Sequence, residues 1–287
     1  MPDSASTPSS AGPGGSVRLE RVADDGPDAG IRVLTLDRPA RLNAMNGALV
    51  DDLHARIDEL RHDPDARVAI LTGAGRGFCS GLDLLDTPPT APGSAEGRGR
   101  VQGGMDVQQR IASLVPALRS LHIPVIAAVN GPAAGGGLAL ALACDVRIAA
   151  TSARFNVAFV RIGLSGCDIG VSWLLPRWIG ASRAFELMLT GRMVESEEAE
   201  RIGLVSRVVA DEELLERALD TARLVCGNSP TGVWMTKEVM WSNLEVGSMQ
   251  AGIDLENRTQ IMTSFTEDMT EAVTAFLAKR PPEFRNR

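Results

Sequence analysis

The sequence predicts an α/β layered fold with a helical C-terminal region. Two observations carry that prediction. Strand-like apolar runs alternate with stretches of helical spacing over roughly the first 150 residues, which calls for crossover connections. After about residue 180 the chain turns mostly helical. "SVRLERV" (16–22) and "IRVLTLD" (31–37) read as strands around an Asp/Gly/Pro turn. From Asn46 to Leu60, Leu49, Val50, Leu53, Ile57 and Leu60 follow helical spacing, with Asn46 placed to cap. "RVAILTG" (67–73), "IPVIAAVNG" (123–131) and "DVRIAA" (145–150) read as strands, with helices near 105–121 and 136–143. Residues 86–104 break the pattern with Pro, Gly and Ser, a loop long enough to be functional or mobile. Further on, 212–226 places Leu214, Leu215, Ala218, Ala222 and Val225 on one helical face. The last helix, about 265–280, is expected to open with a capping box, Ser264-x-x-Glu267, and Pro281-Pro282 to stop it. Its Phe265, Met269, Ala272, Val273, Phe276 and Leu277 share a side, which suggests oligomer contacts.

Composition narrows the function. A chain of 287 residues, 44% hydrophobic and 23% charged, suits one large domain with an appended helical piece. The expected division is a tail at 1–16, a core at 17–200 and a helical, oligomerising region at 201–287. A net charge of −7 and a pI near 5.1 argue against nucleic acid or an anionic membrane as partner. No apolar run reaches the roughly 18 residues of a membrane span, and the Ser/Pro/Gly-rich N-terminus lacks the basic and apolar regions of a signal peptide. Cys79, Cys144, Cys167 and Cys226 lie far apart with no Cys-x-x-Cys, so reduced thiols, no metal and a cytoplasmic location are expected.

Two glycine-rich turns remain as carriers of chemistry. "LTGAGRGFCSGLDL" (71–84) follows a strand, but its spacing fails a dinucleotide fingerprint because the third required glycine falls on Phe78. It has no Walker Gly-Lys-Ser/Thr, and Ser80 has only His54, His62 and His122 as candidate bases, which makes hydrolase chemistry a weak reading. In "NGPAAGGGLALALACD" (130–145), Gly135, Gly136 and Gly137 run straight into an apolar helix. Unpaired N–H groups there favour negative charge; tight helix–strand packing would call for the same glycines. Two such turns aimed at one point would form an oxyanion hole, each donor contributing roughly 3–4 kcal/mol in a transition state.

"RPARLNAMN" (38–46), "GFCSGLDL" (77–84), "NGPAAGGGLALALACDVRIA" (130–149) and "AFLAKRPPEF" (275–284) together resemble the crotonase, or enoyl-CoA hydratase/isomerase, superfamily, over about residues 17–287. The resemblance implies a ββα-superhelix core with a C-terminal trimerisation region, and a homotrimer or dimer of trimers. It implies an acyl-CoA thioester as substrate, with CoA arriving as part of that substrate and no separate cofactor. The thioester carbonyl would lie between the N–H groups of Leu82 and Gly136. Arg41 would meet CoA phosphates, and backbone at Leu42, Ser80, Leu82 and Leu84 would line the adenine and pantetheine groove. Phe276 and Lys279 would close it, from this or a neighbouring subunit, and 86–104 would be the variable acyl-pocket segment. Each has a plainer alternative: a solvated charge for Arg41, core for Phe276, and the end of a helix dipole for Lys279.

Hydratases of this superfamily use two glutamates, and their positions fall here on Ala139, three residues after Gly136, and Phe159, four before Gly163. Neither side chain moves a proton. Asp168, five residues after Gly163, is the acid that remains, near where related isomerases place an aspartate. It reads as a catalytic base or as a helix N-cap. One carboxylate with an oxyanion hole suffices to shift a double bond, whereas adding water calls for a held water and a second proton donor. Apolar Ala139 and Phe159 would dry the pocket around a buried Asp168. Isomerisation is therefore expected over hydration, with a non-catalytic acyl-CoA-binding protein as the alternative.

Overall fold

The computed structural model describes residues 16–86 and 99–286. All but Ser16 of the expected tail, and 87–98 of the expected acyl-pocket segment, lie outside the described residues. The main sheet has six strands in the order β1 (Val17–Arg21), β2 (Ile31–Leu36), β3 (Val68–Gly73), β4 (Val125–Val129), β6 (Val146–Ala150) and β9 (Arg207–Val209). The β1–β2 pair is antiparallel and every other pairing is parallel, as helical crossovers require. A smaller sheet orders β5 (Pro132–Ala134), β7 (Arg154–Asn156) and β8 (Met193–Glu195).

Both faces of the central strands β3 and β4 are covered, so these two read as continuous apolar runs. In β3, Val68 and Ile70 face α8 (Leu214–Cys226) together with Ile31, Ile126 and Ile148. Ala69 and Leu71 face the larger core, which holds α1 (Gly47–His62), α3 (Leu114–Arg119), α4 (Gly136–Ala143) and α5 (Val171–Ile179). Helix α1 buries the five apolar residues its spacing selects, and the Asn46 side chain accepts from Leu49 N at 3.0 Å. Every residue of α4 is buried. On α8, Leu214, Ala218 and Ala222 are buried, whereas Leu215 is exposed and Leu219 takes the inward position.

Two helix boundaries differ from the sequence expectation. The stretch near 105–121 divides at Ser113 into α2 (Arg100–Ala112) and α3. Pro116 has no N–H to return to Ala112, and the Ser113 hydroxyl bonds Arg110 O instead. After α6 (Ala181–Thr190), α7 (Ser196–Arg201) and α9 (Pro230–Asn243), the C-terminal pair is α10 (Met249–Ser264) and α11 (Glu267–Ala278). The cap of α11 is Thr266, whose hydroxyl accepts from Met269 N at 3.2 Å; Ser264 ends α10 and bonds back to Ile261 O. The expected capping box on Ser264 is thus corrected: the nearer hydroxyl wins, with Glu267 and Asp268 in the first turn of α11. Helices α10 and α11 leave Met262, Val273, Phe276 and Leu277 exposed, and Phe265 between them as well. Among the described residues no helix is long and apolar enough to cross a membrane.

A buried ion pair fastens α9 to the sheet. Lys237 Nζ lies 3.0 Å from Asp145 Oδ2 and donates to Ile123 O at 2.8 Å. Asp145 also accepts from Val125 N and from Trp241 Nε1, each at 2.7 Å, so it joins the starts of β4 and β6 to the helix. Burial pushes the Lys237 ammonium below its ordinary range, opposed by Asp145. Lys237→Ala is expected to cost about 3–5 kcal/mol, because it leaves the carboxylate without its countercharge; equilibrium unfolding in denaturant measures it.

Candidate active site

The two glycine-rich turns meet. Cys79 N donates to Pro132 O at 3.1 Å and Ala134 N to Cys79 O at 3.0 Å, so the 77–84 turn runs alongside β5. Just beyond, Gly137 has no Cβ, and one built there would lie 1.9 Å from Cys79 O. The plain packing role foreseen for the glycines is therefore real at Gly137. A Cβ on Gly81 would stand 3.6 Å from Gly136 N, so the backbone of one turn reaches the first helical N–H of the other. Gly81 and Gly135 adopt left-handed φ values of 98° and 52°, available to glycine at no steric cost.

Several donors around this contact are used. Ser80 N bonds Leu42 O, Met45 N bonds Gly81 O at 2.7 Å, Asp83 N bonds Met45 O at 2.9 Å, and Gly135 N bonds Asn156 O. Among the described residues Leu82 N and the first-turn N–H groups of α4, at Gly136, Gly137 and Leu138, have no backbone acceptor. Of these, the N–H groups of Leu82 and Gly136 are the two that the motif comparison selects for the thioester oxygen.

The turn is pinned by side chains that composition and motif spacing did not single out. Asn43, fully buried, donates to Ala74 O at 3.0 Å and Gly77 O at 2.7 Å. Asn130 donates to Gly73 O and Gly75 O and accepts from Gly73 N. Both lie inside the quoted motifs, and a buried amide must have its partners satisfied. Asp83 takes Arg41 on both oxygens, at 2.8 and 3.3 Å, and Arg38 at 3.2 Å. The Arg41 hydrogen bond holds the Asp83 carboxyl below its ordinary range despite burial. Arg41 is thus half committed: its side chain is 44% exposed, but two of its nitrogens serve Asp83.

Asp168 is half-buried rather than buried. Its Oδ1 accepts from Ile169 N at 2.8 Å and from Gln108 Nε2, a partner on α2 that the sequence did not disclose. It is not a helix N-cap: Gly170 holds that position on α5, and its left-handed φ of 79° turns the chain into the helix. Ile169 is also left-handed, at φ 46°, an outlier for a β-branched residue. Its Cδ1 lies 3.3 Å from where a Cβ on Gly136 would stand, which puts Asp168 next in sequence to a residue touching that glycine. The Phe159 ring lies 3.4 Å from the corresponding point on Gly135, and Ala139 is wholly buried, so a phenyl and a methyl group stand at the two positions where the resemblance would place glutamates.

The remaining predicted residues divide by place. Leu42 and Ser80 are joined through their backbones, and Leu84 is exposed just past Asp83. Phe276 is exposed and Lys279 is the left-handed C-cap of α11, a helix fastened to the start of α9 and the C-terminal tail through Asp268. No described hydrogen bond or ion pair joins either residue to the glycine turns. A serine-hydrolase reading fails: His54 bonds Arg110 O, His62 bonds Asp58 O, and His122 stacks on Trp234, which leaves Ser80 without a base. Burial pushes the neighbouring Cys79 thiol up to about 12, so it is no nucleophile.

Gly137→Ala should drive α4 off the 77–84 turn, costing about 1–3 kcal/mol or more as overpacking. Differential scanning calorimetry should find a lowered Tm.

Comparisons with known proteins place the fold in a family. The family model described as Enoyl-CoA hydratase/isomerase matches residues 26–287. The chain is 42% identical over 285 residues to the probable enoyl-CoA hydratase echA12 of Mycobacterium bovis, covering 99% of each. A solved structure of a probable enoyl-CoA hydratase/isomerase from Mycobacterium abscessus superposes with a TM-score of 0.85 at 40% identity, over 95% of this chain and 99% of that one. A monofunctional enoyl CoA isomerase from M. smegmatis matches at 45% identity and a TM-score of 0.69, over 84% of this chain and 99% of that one. With its α/β core, its C-terminal helices and its paired glycine turns, the chain belongs to the enoyl-CoA hydratase/isomerase (crotonase) superfamily.

Proposed function

We propose that this enzyme shifts the double bond of an enoyl-CoA thioester, with Asp168 as the proton carrier and the Leu82 and Gly136 N–H groups as the oxyanion hole. The observation that carries the proposal is a substitution of chemistry. Ala139 and Phe159 stand where a hydratase has its glutamates, while Asp168 adjoins Ile169, which packs on Gly136. The likeness to a monofunctional enoyl CoA isomerase supports it; the probable hydratase name of the M. bovis relative points the other way.

The steps need no water. Oδ2 of Asp168 takes a proton from the carbon flanking the conjugated system, and the electron pair moves onto the thioester oxygen as an enolate. Two fixed N–H donors stabilise that oxygen, each by roughly 3–4 kcal/mol. The pair then returns, and Asp168 gives the same proton back at the other end of the system. The Asp168 Oδ1 bonds to Gln108 and Ile169 N hold the carboxylate while Oδ2 works.

For the CoA moiety, the backbone of Leu42 and Ser80 together with Leu82 and Leu84 forms the groove, and Arg41 offers its remaining nitrogen to a phosphate. Phe276 and Lys279 reach such a groove from a neighbouring copy, in a homotrimer or dimer of trimers held by the exposed apolar residues of α10 and α11.

The test offers 3-enoyl-, 2-enoyl- and 3,5-dienoyl-CoA thioesters of several lengths to the enzyme and to Asp168→Asn. Double-bond migration is expected, reduced about 10²-fold or more in Asp168→Asn, with acyl-CoA affinity retained. Formation of a hydroxyacyl-CoA would make the enzyme a hydratase. Binding without conversion would make it an acyl-CoA-binding protein.

A further inference from the structure

Leu82 and Gly136 lie on separate segments, 54 positions apart in the sequence, and an oxyanion hole works only if their N–H groups keep a fixed separation. One residue touches both sides. Met45 N donates to Gly81 O at 2.7 Å, and Met45 O accepts from Asp83 N at 2.9 Å. Its main chain therefore holds the residues on either side of Leu82 and leaves the Leu82 N–H between them without an acceptor. Its side chain crosses to the other turn: Met45 Cε lies 2.2 Å from where a Cβ on Gly136 would stand, and Sδ lies 3.8 Å from it. The methionine methyl thus occupies the space that an alanine at position 136 would need.

Met45 is itself held firmly. It is 1% exposed, in the same core as Leu49 and Leu53. Asn46, the next residue, caps α1. Arg38 bonds the carbonyl of Ala44, the residue before, and also bonds Asp83 beyond Leu82. An unbranched side chain suits this reach, because it extends from one backbone to another without a β-branch that would crowd its own turn.

We infer that Met45 is a positioning residue that sets the Leu82 N–H against the Gly136 N–H, holding the first through its backbone and the second through its side-chain tip. This rests on the assignment of those two N–H groups to the thioester oxygen. It does not rest on the isomerase chemistry, so its test needs no turnover.

The probe is a conjugated dienoyl-CoA thioester, whose carbonyl stretch falls in frequency when donors polarise it. The variants are Met45→Ala, Met45→Leu and, as a control, Leu53→Ala. The control removes a fully buried side chain from the same core, one that is not among the atoms nearest the Gly136 position. The frequency drop on binding should be largest in the unaltered protein and in Leu53→Ala, smaller in Met45→Leu, and smallest in Met45→Ala. Where turnover is measurable, Met45→Ala should lower kcat roughly tenfold with KM changed less than about twofold, a part of the 10²–10³ lost when a donor is removed outright. If Met45→Ala does not fold, Met45→Leu carries the test alone through the same partial loss. An unchanged drop in a folded Met45 variant overturns the inference, as does an equal loss in Leu53→Ala. No drop in the unaltered protein, or no thioester binding, overturns it together with the donor assignment. A normal drop without turnover removes only the isomerase proposal.

Discussion

The contact between the Cys79 carbonyl and the Cα of Gly137 is the constraint on which the rest of the site depends. Backbone against backbone, it presses the first turn of α4 onto the 77–84 turn at a distance that admits no side chain. Everything nearby accommodates it. Helix α4 is buried on every side, so it has nowhere to shift. Gly135 and Gly81 take left-handed conformations to bring their chains in without steric cost. Several polar atoms around the contact find partners, through β5 on one side and through Leu42 and Met45 on the other. The first N–H groups of α4, at Gly136, Gly137 and Leu138, have no backbone acceptor among the described residues, as at any helix start, and here they lie within the core.

Charge secures the same place from the solvent side. Asp83 receives two guanidinium groups, and its carboxyl is held below the ordinary aspartate range chiefly by the Arg41 hydrogen bond. A carboxyl with a lowered folded-state pKa contributes stability above its ordinary value, and that contribution is lost only as pH falls through the lowered one. The clamp over Leu82 therefore stays charged across the neutral range. A CoA phosphate approaching Arg41 meets a group already partly neutralised, so the anchoring proposed for it is weaker than its charge alone implies. Within that proposal, contacts along Leu42, Ser80 and Leu84 would have to carry more of the binding.

Much of this was legible in the sequence, and the parts that were not have physical reasons. Periodicity selected the buried residues of α1 because a helix packed on one face has a single pattern that satisfies it. The bounds of α4 followed from glycines on one side and Cys144-Asp145 on the other. Helix ends were less legible. Ser264 and Thr266 both offer a capping hydroxyl, and choosing between them depends on how α10 turns into α11, which packing decides. Asp168 likewise looks like a cap by type and place, but Gly170 nearer the helix supplies the turn. Asn43 and Asn130 sat inside recognisable motifs, yet their work is with carbonyls 31 to 57 positions away. No local pattern announces such a partner. Gln108 is hidden for the same reason: only the fold brings α2 over Asp168.

The placement of Asp168 also explains why a β-branched residue tolerates φ 46° beside it. A non-glycine residue in that region carries of order 1–3 kcal/mol of strain and persists only where its surroundings over-determine it. Here three contacts do so. Ile169 N bonds back to Asp168 Oδ1, Val171 N bonds Asp168 O at 2.8 Å, and the Ile169 side chain is buried against Gly136. A relaxed, extended Ile169 would break the Val171 N bond to Asp168 O and withdraw its side chain from the glycine, so Asp168 and the Gly136 N–H could not keep their present relation. A glycine at position 169 would relieve the strain but would bring no side chain to touch Gly136. The strained isoleucine does both tasks at once: it turns the chain beside Asp168, whose Oδ1 is bonded, and its side chain lies between that residue's backbone and Gly136. In the proposed isomerase it thus links the residue that carries the proton to the glycine whose N–H meets the charge.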